Sequence, residues 1–295
     1  ILFISTIALK NTNTFSIPEG IKSYSTDISG MTNIKKIIIP ASLTDIDPNK
    51  LPKSIESIEI KNGNKTLLYE NGFLYNSSQT LIMCCSKEKD ITVPEGIKTI
   101  GALSFKQATN VENVVFPDSL VSIQDRVFEG ASNIKRIDIG KNVNNISPIF
   151  KRRNYNGVVN IDKENTNYVI ENNILYKLNN GKKERLVAVL TENTNNIEIS
   201  KEVNIIGTNA FFGQKSMTQI IIPKGVTSIE GGAFSECSKL ERVEIPNTVT
   251  DIANTAFSAE SFNLSEIIIH NKENSIAGAP WGAAKGMKVV QWVGK

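Results

Sequence analysis

The sequence predicts a β-rich solenoid of stacked repeats, each about 23 residues long. Two compositional facts and one spacing point there. Ile outnumbers Leu by 41 to 16, and β-branched side chains favour strands. There are 33 Asn residues, which favour turns and tolerate left-handed backbone. The same short phrase then returns at a fixed interval along almost the whole chain. The length of 295 residues fits either two domains or one elongated array.

The phrase ends on a proline that closes a strand. "KLERVEIP" ends at Pro246 and "SMTQIIIP" at Pro223, 23 residues apart. "NVENVVFP" and "NIKRIDIG" end at Pro117 and Gly140, again 23 apart. Pro94 precedes Pro117 by 23, and Pro18 and Pro40 are 22 apart. "NLSEIIIH" ends at His270, where the proline is replaced. A second phrase runs in phase, through Phe105, Phe128, Phe211, Phe234 and Phe257. Repeats of this length cannot bury their apolar faces alone and must stack.

One unit reads as follows. Leu240, Val243 and Ile245 point inward from a short strand. Pro246 ends it, because proline lacks the N–H for the next ladder bond. Val249 and Ile252 point inward from the opposite side of the coil. Ala256 and Phe257 close the layer. The phenylalanine stripe is therefore core and not a ligand platform.

A longer repeat is superimposed on the short one. Residues 58–76 match 159–177 at an offset of 101, and each copy is followed by an apolar run, Leu81–Cys85 and Leu186–Leu190. Each copy is expected to form an inserted β-hairpin, near 67–87 and 168–191, with turns at Asn76–Gln79 and Asn179–Lys182. Asn180-Gly181 suits such a turn because both residues accept positive φ. Ile4–Leu9 aligns with the tail of such a hairpin and is read as a strand. It is too short to span a membrane, and no other segment approaches that length. The chain begins at Ile1, so a fragment cut inside a repeat is expected.

The whole pattern closely resembles the BspA-like leucine-rich-repeat family. The phrases that carry the resemblance are "IIIPKGVTSIEGGAFSECSKLERVEIPNTVTDIANTAF" (220–257), the inserts "NGFLYN" and "NNILYK", and the ending "APWGAAKGMKVVQW" (279–292). It covers essentially the whole chain. The Ala-Phe phrase is missing or degenerate at 46–56 and 149–158, where irregular outer loops are expected. The resemblance implies a leucine-rich-repeat solenoid, a curved superhelix of short strands and short helical turns carrying two inserted hairpins. The array is expected to run continuously over 1–270, with 271–295 as a cap in which Trp281 and Trp292 cover the last repeat. The resemblance also implies surface display on a cell and binding to host or microbial proteins.

Residues between the inward positions of the ladder strands must face out. Two columns result on the sheet expected to be concave. The first runs Thr14, Lys36, Ser57, Asp90, Asn113, Arg136, Val158, Asn196, Gln219, Arg242, Glu266. The second runs Ser16, Ile38, Glu59, Thr92, Val115, Asp138, Asn160, Glu198, Ile221, Glu244, Ile268. Solenoids bind proteins on such surfaces. The apolar members Ile38, Val115, Ile221 and Ile268, together with Arg136, Asp138, Arg242 and Glu244, are the candidate partner-binding residues. Against this, scattered β-branched residues also serve only to stabilise a sheet.

Composition excludes several functions. Lys+Arg 33 against Asp+Glu 30 leaves a net charge of only +3, which gives no support to nucleic acid as a partner. A single His, His270, excludes a His-pair zinc site and most His-dependent catalysis. Three Cys rule out a disulfide-dense scaffold. Of the adjacent Cys84 and Cys85, a strand would bury one, and Cys237 falls on the outer arc. All three read as small fillers, with a vicinal redox pair or metal site as the lesser alternative. Lys151-Arg152-Arg153 is the one dense basic run, suited to an acidic partner or polysaccharide. Asp45, Asp47, Asp162 and Glu164 lack the ligand spacing of a calcium loop. No phosphate loop, nucleophile elbow or HExxH motif occurs, so no cofactor is expected.

Three functions are in competition. The first is a non-catalytic adhesion module whose ligand is a host matrix or plasma protein or another microbe's surface, with carbohydrate, held by Trp281, as a lesser ligand class. The second is a structural spacer within a larger surface protein. The third and weakest is a glycoside hydrolase using Glu59, Asp138 or Glu244, which would need two acids roughly 5–10 Å apart in a cleft.

Overall fold

A computed structural model of the chain describes residues 12–147, 157–191, 197–257, 263–284 and 286–294. The expected strand Ile4–Leu9 and most of the irregular loop at 149–158 lie outside these residues, as does Lys151-Arg152-Arg153. The chain divides into two compact units, Ile1–Arg152 with Gly157–Asp162, and Arg153–Asn156 with Lys163–Lys295. Each unit is a β-solenoid.

The first unit contains β1 (Thr14–Ser16), β2 (Ser23–Tyr24), β3 (Lys36–Ile39), β4 (Asp45–Ile46), β5 (Ser57–Ile60), β6 (Leu67–Glu70), β7 (Phe73–Asn76), β8 (Thr80–Cys84), β9 (Asp90–Thr92), β10 (Thr99–Ile100), β11 (Asn113–Val115), β12 (Ser122–Ile123), β13 (Arg136–Ile139), β14 (Asn145–Ile146) and β15 (Val158–Ile161). Odd-numbered strands from each repeat form a first ladder, in two pieces: β1-β3-β5 and β9-β11-β13-β15. The short strands on the opposite side form β2-β4 and the sheet β14-β12-β10-β8-β7-β6. Every pairing between repeats is parallel and in register, so like stacks on like: Phe15 on Ile37 on Ile58, and Ile91 on Val114 on Ile137 on Val159. All seven are buried.

The second unit contains β16 (Tyr168–Glu171), β17 (Ile174–Asn179), β18 (Lys182–Val189), β19 (Ile205–Ile206), β20 (Gln219–Ile221), β21 (Ser228–Ile229), β22 (Arg242–Ile245), β23 (Asp251–Ile252), β24 (Glu266–Ile269) and β25 (Val290–Trp292). Its first ladder is β20-β22-β24-β25 and its second is β16-β17-β18-β19-β21-β23. Leu240, Val243, Ile245, Val249, Ile252, Ala256 and Phe257 are all buried, as one repeat predicts from its pattern.

The third side of each coil is closed by turns. Phe211, Phe234 and Phe257 stack there with centroids 5.0 and 5.1 Å apart and planes within 12° and 6°. Phe105 and Phe128 stack likewise at 4.9 Å in the first unit. These turns place the residue two before the phenylalanine at positive φ: Leu103, Arg126, Asn209 and Gly232. Gly232 is required for a second reason, because a Cβ there would run into Asn209 Oδ1. At 46–56, where the Ala-Phe phrase is missing, the turn is a 3-10 helix, Pro48–Lys50, with Asp47 accepting from Asn49 N at its start. Gln107 Nε2 donates to Pro48 O at 2.9 Å and Lys106 Nζ to Asn49 O at 2.7 Å, which joins this irregular turn to the next regular one.

The two inserts are more than hairpins. Each is a three-stranded antiparallel meander, β6-β7-β8 and β16-β17-β18. The last strand of each is also a rung: β8 pairs parallel with β10, and β18 with β19. Their turns are built from left-handed pairs, Asn71-Gly72, Asn172-Asn173 and Asn180-Gly181, the residues that type I′ turns demand. Asn64 and Asn165 open the two inserts alike: each Oδ1 accepts the N–H groups two and three residues on. In the first insert one face, carrying Leu67, Leu74, Met83 and Cys85, packs into the core of the preceding repeats. The other face carries Phe73 and Cys84, opposite each other and both buried, while along the edge Leu81 O and the Cys84 N–H bond to Gly101 and Ser104 of the following repeat.

This double cover corrects the reading of the cysteines. Cys84 and Cys85 are both buried, not one of the two, because the chain leaves strand geometry after Cys84 and is covered on both sides. Cys237 lies in the turn side between β21 and β22, where it is buried as a small filler, and its Sγ donates to Phe211 O. Burial pushes the Cys84 and Cys237 thiols up to about 12. The thiolate is the reactive species, so these are packing residues.

The end of the second unit is closed by Trp281. It is fully buried, its Nε1 donates to Ala277 O at 2.7 Å, and its ring meets Trp292 edge-on at 6.1 Å. Neither face of the Trp281 indole is open to a sugar, which removes that carbohydrate reading.

Two stability measurements follow. Phe234→Ala opens the centre of the phenylalanine stack and should cost about 3–5 kcal/mol in urea unfolding; a loss under about 1 kcal/mol would contradict a packed stack. Gly232→Ala should be strongly destabilising alone and much less so with Asn209→Gly, which removes the obstructing amide. Additive effects in that double-mutant cycle would show that backbone strain, not the contact, sets the cost.

Candidate functional site

The first ladder carries every candidate residue, and alternation puts each one outward. In the first unit the register aligns Thr14, Lys36 and Ser57, then Asp90, Asn113, Arg136 and Val158. The second column aligns Ser16, Ile38 and Glu59, then Thr92, Val115, Asp138 and Asn160. In the second unit Gln219, Arg242 and Glu266 align, beside Ile221, Glu244, Ile268 and then Gln291. Two expected members fall away. Asn196 lies outside the described residues, and Glu198 is in irregular backbone, not a strand. Ile38 and Val115 belong to one unit and Ile221 and Ile268 to the other.

Exposure separates the four apolar candidates. Ile221 is 67% exposed and Val115 40%, while Ile38 and Ile268 are half-buried between their polar neighbours. Val158, in the other column, is 58% exposed.

The charged residues of the ladder and its edge are partnered along a strand or from rung to rung. Lys36 Nζ meets Glu59 Oε2 at 2.7 Å. Glu112 is held between Lys89 and Lys135 at 3.2 and 2.7 Å. Arg136 donates to Asp138 at 2.9 Å, and Asn160 also donates to that carboxylate. In the second unit Arg242 bridges Glu244 at 3.3 Å and Glu266 at 3.1 Å. His270 Nε2 lies 2.9 Å from Glu244 Oε1, and Gln291 donates to Glu266. Hydrogen bonds from the lysines hold the Glu59 and Glu112 carboxyls below the usual range. The hydrogen bond to Asp138 raises the Arg136 guanidinium. These pairs were not anticipated from the sequence, although opposite charges one repeat apart, such as Lys89, Glu112 and Lys135, are a visible signal.

This lattice can align a partner but offers little to a reaction. Glu59, Asp138 and Glu244 each face a cation on an exposed sheet, whereas a glycosidase acid needs surroundings that keep it protonated. Asp45 and Asp47 are used structurally, by the Ser23 hydroxyl and by the Pro48–Lys50 turn. Among the described residues no group of three or more His, Cys, Asp or Glu side chains is placed to hold a metal ion. Nor is any helix there long and apolar enough to cross a membrane.

With the geometry in view, the similarities to known proteins can be stated. The sequence profile described as "BspA type Leucine rich repeat region" matches residues 4–87, 78–183 and 189–280, with six copies. No curated protein matches the chain significantly. Among solved structures, the pneumococcal vaccine antigen PcpA is 21% identical with a TM-score of 0.60, over 93% of this chain and 72% of that one. A leucine-rich repeat protein from Eubacterium ventriosum is also 21% identical, with a TM-score of 0.47, over 89% of this chain. This chain spans 61% of its length. A leucine rich cell surface protein from Faecalibacterium prausnitzii is 16% identical with a TM-score of 0.39, over 90% of this chain and 89% of its own. The likeness to PcpA supports the solenoid fold, and the repeat profile covers most of the chain. The chain belongs to the BspA-type leucine-rich-repeat family.

Proposed function

We propose that the chain is a non-catalytic protein-interaction and adhesion module displayed on a cell surface. It binds a host matrix or plasma protein, or another microbe's surface protein, through the outward columns of its first ladders. The observation that carries this reading is the exposure of Ile221 and Val115 within a sheet face whose charges are otherwise matched. Isolated aliphatics there cost the free protein solvation without improving its core, and apolar surface rimmed by polar groups marks interaction sites. Arg136, Asp138, Arg242 and Glu244 frame those residues and would supply orientation more than affinity. Membership of the BspA-type repeat family supports surface display.

A structural spacer is the second reading, and one observation favours it. The ladder charges satisfy one another, leaving few groups that need a partner.

A solid-phase panel separates the two. The purified chain is tested against matrix and plasma proteins, epithelial cells and glycans, at low and high salt. Adhesion predicts a saturable, salt-tolerant interaction that weakens at least tenfold when Ile38, Val115, Ile221 and Ile268 are all changed to Asp, with the melting temperature of the exposed-site single variants unchanged. Retained binding in that variant would sink the ladder-face reading. No binding by a well-folded chain would favour the spacer.

A further inference from the structure

Only the second unit places two aliphatic residues of one outward column two rungs apart among the described ladder strands. Ile221 and Ile268 stand on either side of Glu244. In the first unit Val115 has Thr92 on one side, Asp138 and Asn160 on the other, and Ile38 lies between Ser16 and Glu59. Neighbouring strands are about 4.8 Å apart, so Ile221 and Ile268 sit roughly 9.6 Å apart across the rungs. A polyproline-type chain rises about 3.1 Å per residue with three residues per turn, so its like-facing side chains recur every ~9.3 Å. An extended β-strand repeats its faces about every 6.6 Å and misses that interval.

Charge narrows the occupant further. The charges of the outward columns around the pair are one cation, Arg242, shared between two carboxylates, Glu244 and Glu266. Glu244, the residue between the isoleucines, lies beneath the centre of any segment that bridges them. Ile221 is the most exposed of the large hydrophobic residues, at 67%.

We propose that this face of the second unit reads a polyproline-like peptide segment with aliphatic side chains three residues apart and a cationic residue between them. The inference rests on the protein-binding reading above and makes it specific. The two aliphatic side chains pack on Ile221 and Ile268, and the cation lies toward Glu244 and Glu266.

The test uses the full chain and two fluorescein-labelled peptides of equal composition, followed by anisotropy. Pro-Ile-Pro-Lys-Ile-Pro has the isoleucines three apart, and Pro-Ile-Lys-Ile-Pro-Pro has them two apart. The first should bind saturably and the second at least tenfold more weakly. Ile221→Asp should weaken the first at least tenfold. Because Ile221 is exposed, this variant should keep the melting temperature. Glu244→Gln should weaken it about threefold and flatten its salt dependence. Leu68→Asp, at an exposed position of the insert in the other unit, should change nothing. Equal binding of the two peptides, or an equal loss in Leu68→Asp, overturns the proposal. So does failure of both peptides while a panel protein is still held through Ile221, an outcome that leaves the general reading standing. If neither peptide nor any panel protein binds, both readings fall.

Discussion

Everything in this chain depends on in-register parallel stacking. Each rung exchanges N–H···O=C bonds with the turns on both sides, as in the bonds from Val121 to Lys98 and Thr227 to Asn204 one turn back, and from Val93 to Val115 and Ile222 to Glu244 one turn on. A turn cannot gain or lose a residue on a strand without moving every side chain to the wrong face. The repeat length is therefore held within a residue or two, and variation is pushed into the third side and the inserts. The same constraint stacks like side chains. It produces the phenylalanine columns inside and the charge columns outside.

Stacking also shapes what the surface can offer. Side chains on adjacent rungs are neighbours at strand spacing, so a lysine facing a glutamate one repeat later forms a pair almost automatically. Exposed pairs of this sort add little stability, typically under about 1 kcal/mol each. Their effect is to consume charge locally. What is left to distinguish one part of the ladder from another is the few aliphatic residues and the places where carboxylates outnumber their cation, as Glu244 and Glu266 do around Arg242 beside Ile221.

Much of the fold was legible because two periods, 2 and about 23, are superimposed. Together they placed Lys36, Asn113, Arg136, Gln219, Arg242 and Glu266 at the first position of their strands. They also assigned Phe234 and Phe257 to the interior. The fate of Cys84 and Cys85 was not legible, since the β7–β8 pairing shifts register and the chain leaves the strand after Cys84, so the alternation stops between the two residues. Glu198 was assigned to a strand that does not form. The pairing lattice was open to view in the charges, but only a comparison across repeats reveals it. At the candidate site, the sequence placed the residues of each unit on the outward side of that unit's first ladder. It did not distinguish Ile221, largely exposed, from Ile268, half-buried under its neighbours.

The meanders have a consequence in the arithmetic of chain direction. A single strand advances the coil along its path, and each reversal turns the chain around. β6-β7-β8 contains two reversals, so the chain leaves β8 with the heading it had in β6, and β16-β17-β18 does the same. An insertion of even parity is invisible to the rungs that follow, which pair parallel as if nothing had intervened. An insert adding only one reversal would invert the path and leave the next rung without a partner. Such a chain can grow or shrink by whole modules of about 101 residues, the offset between its two copies, without redesigning the joints.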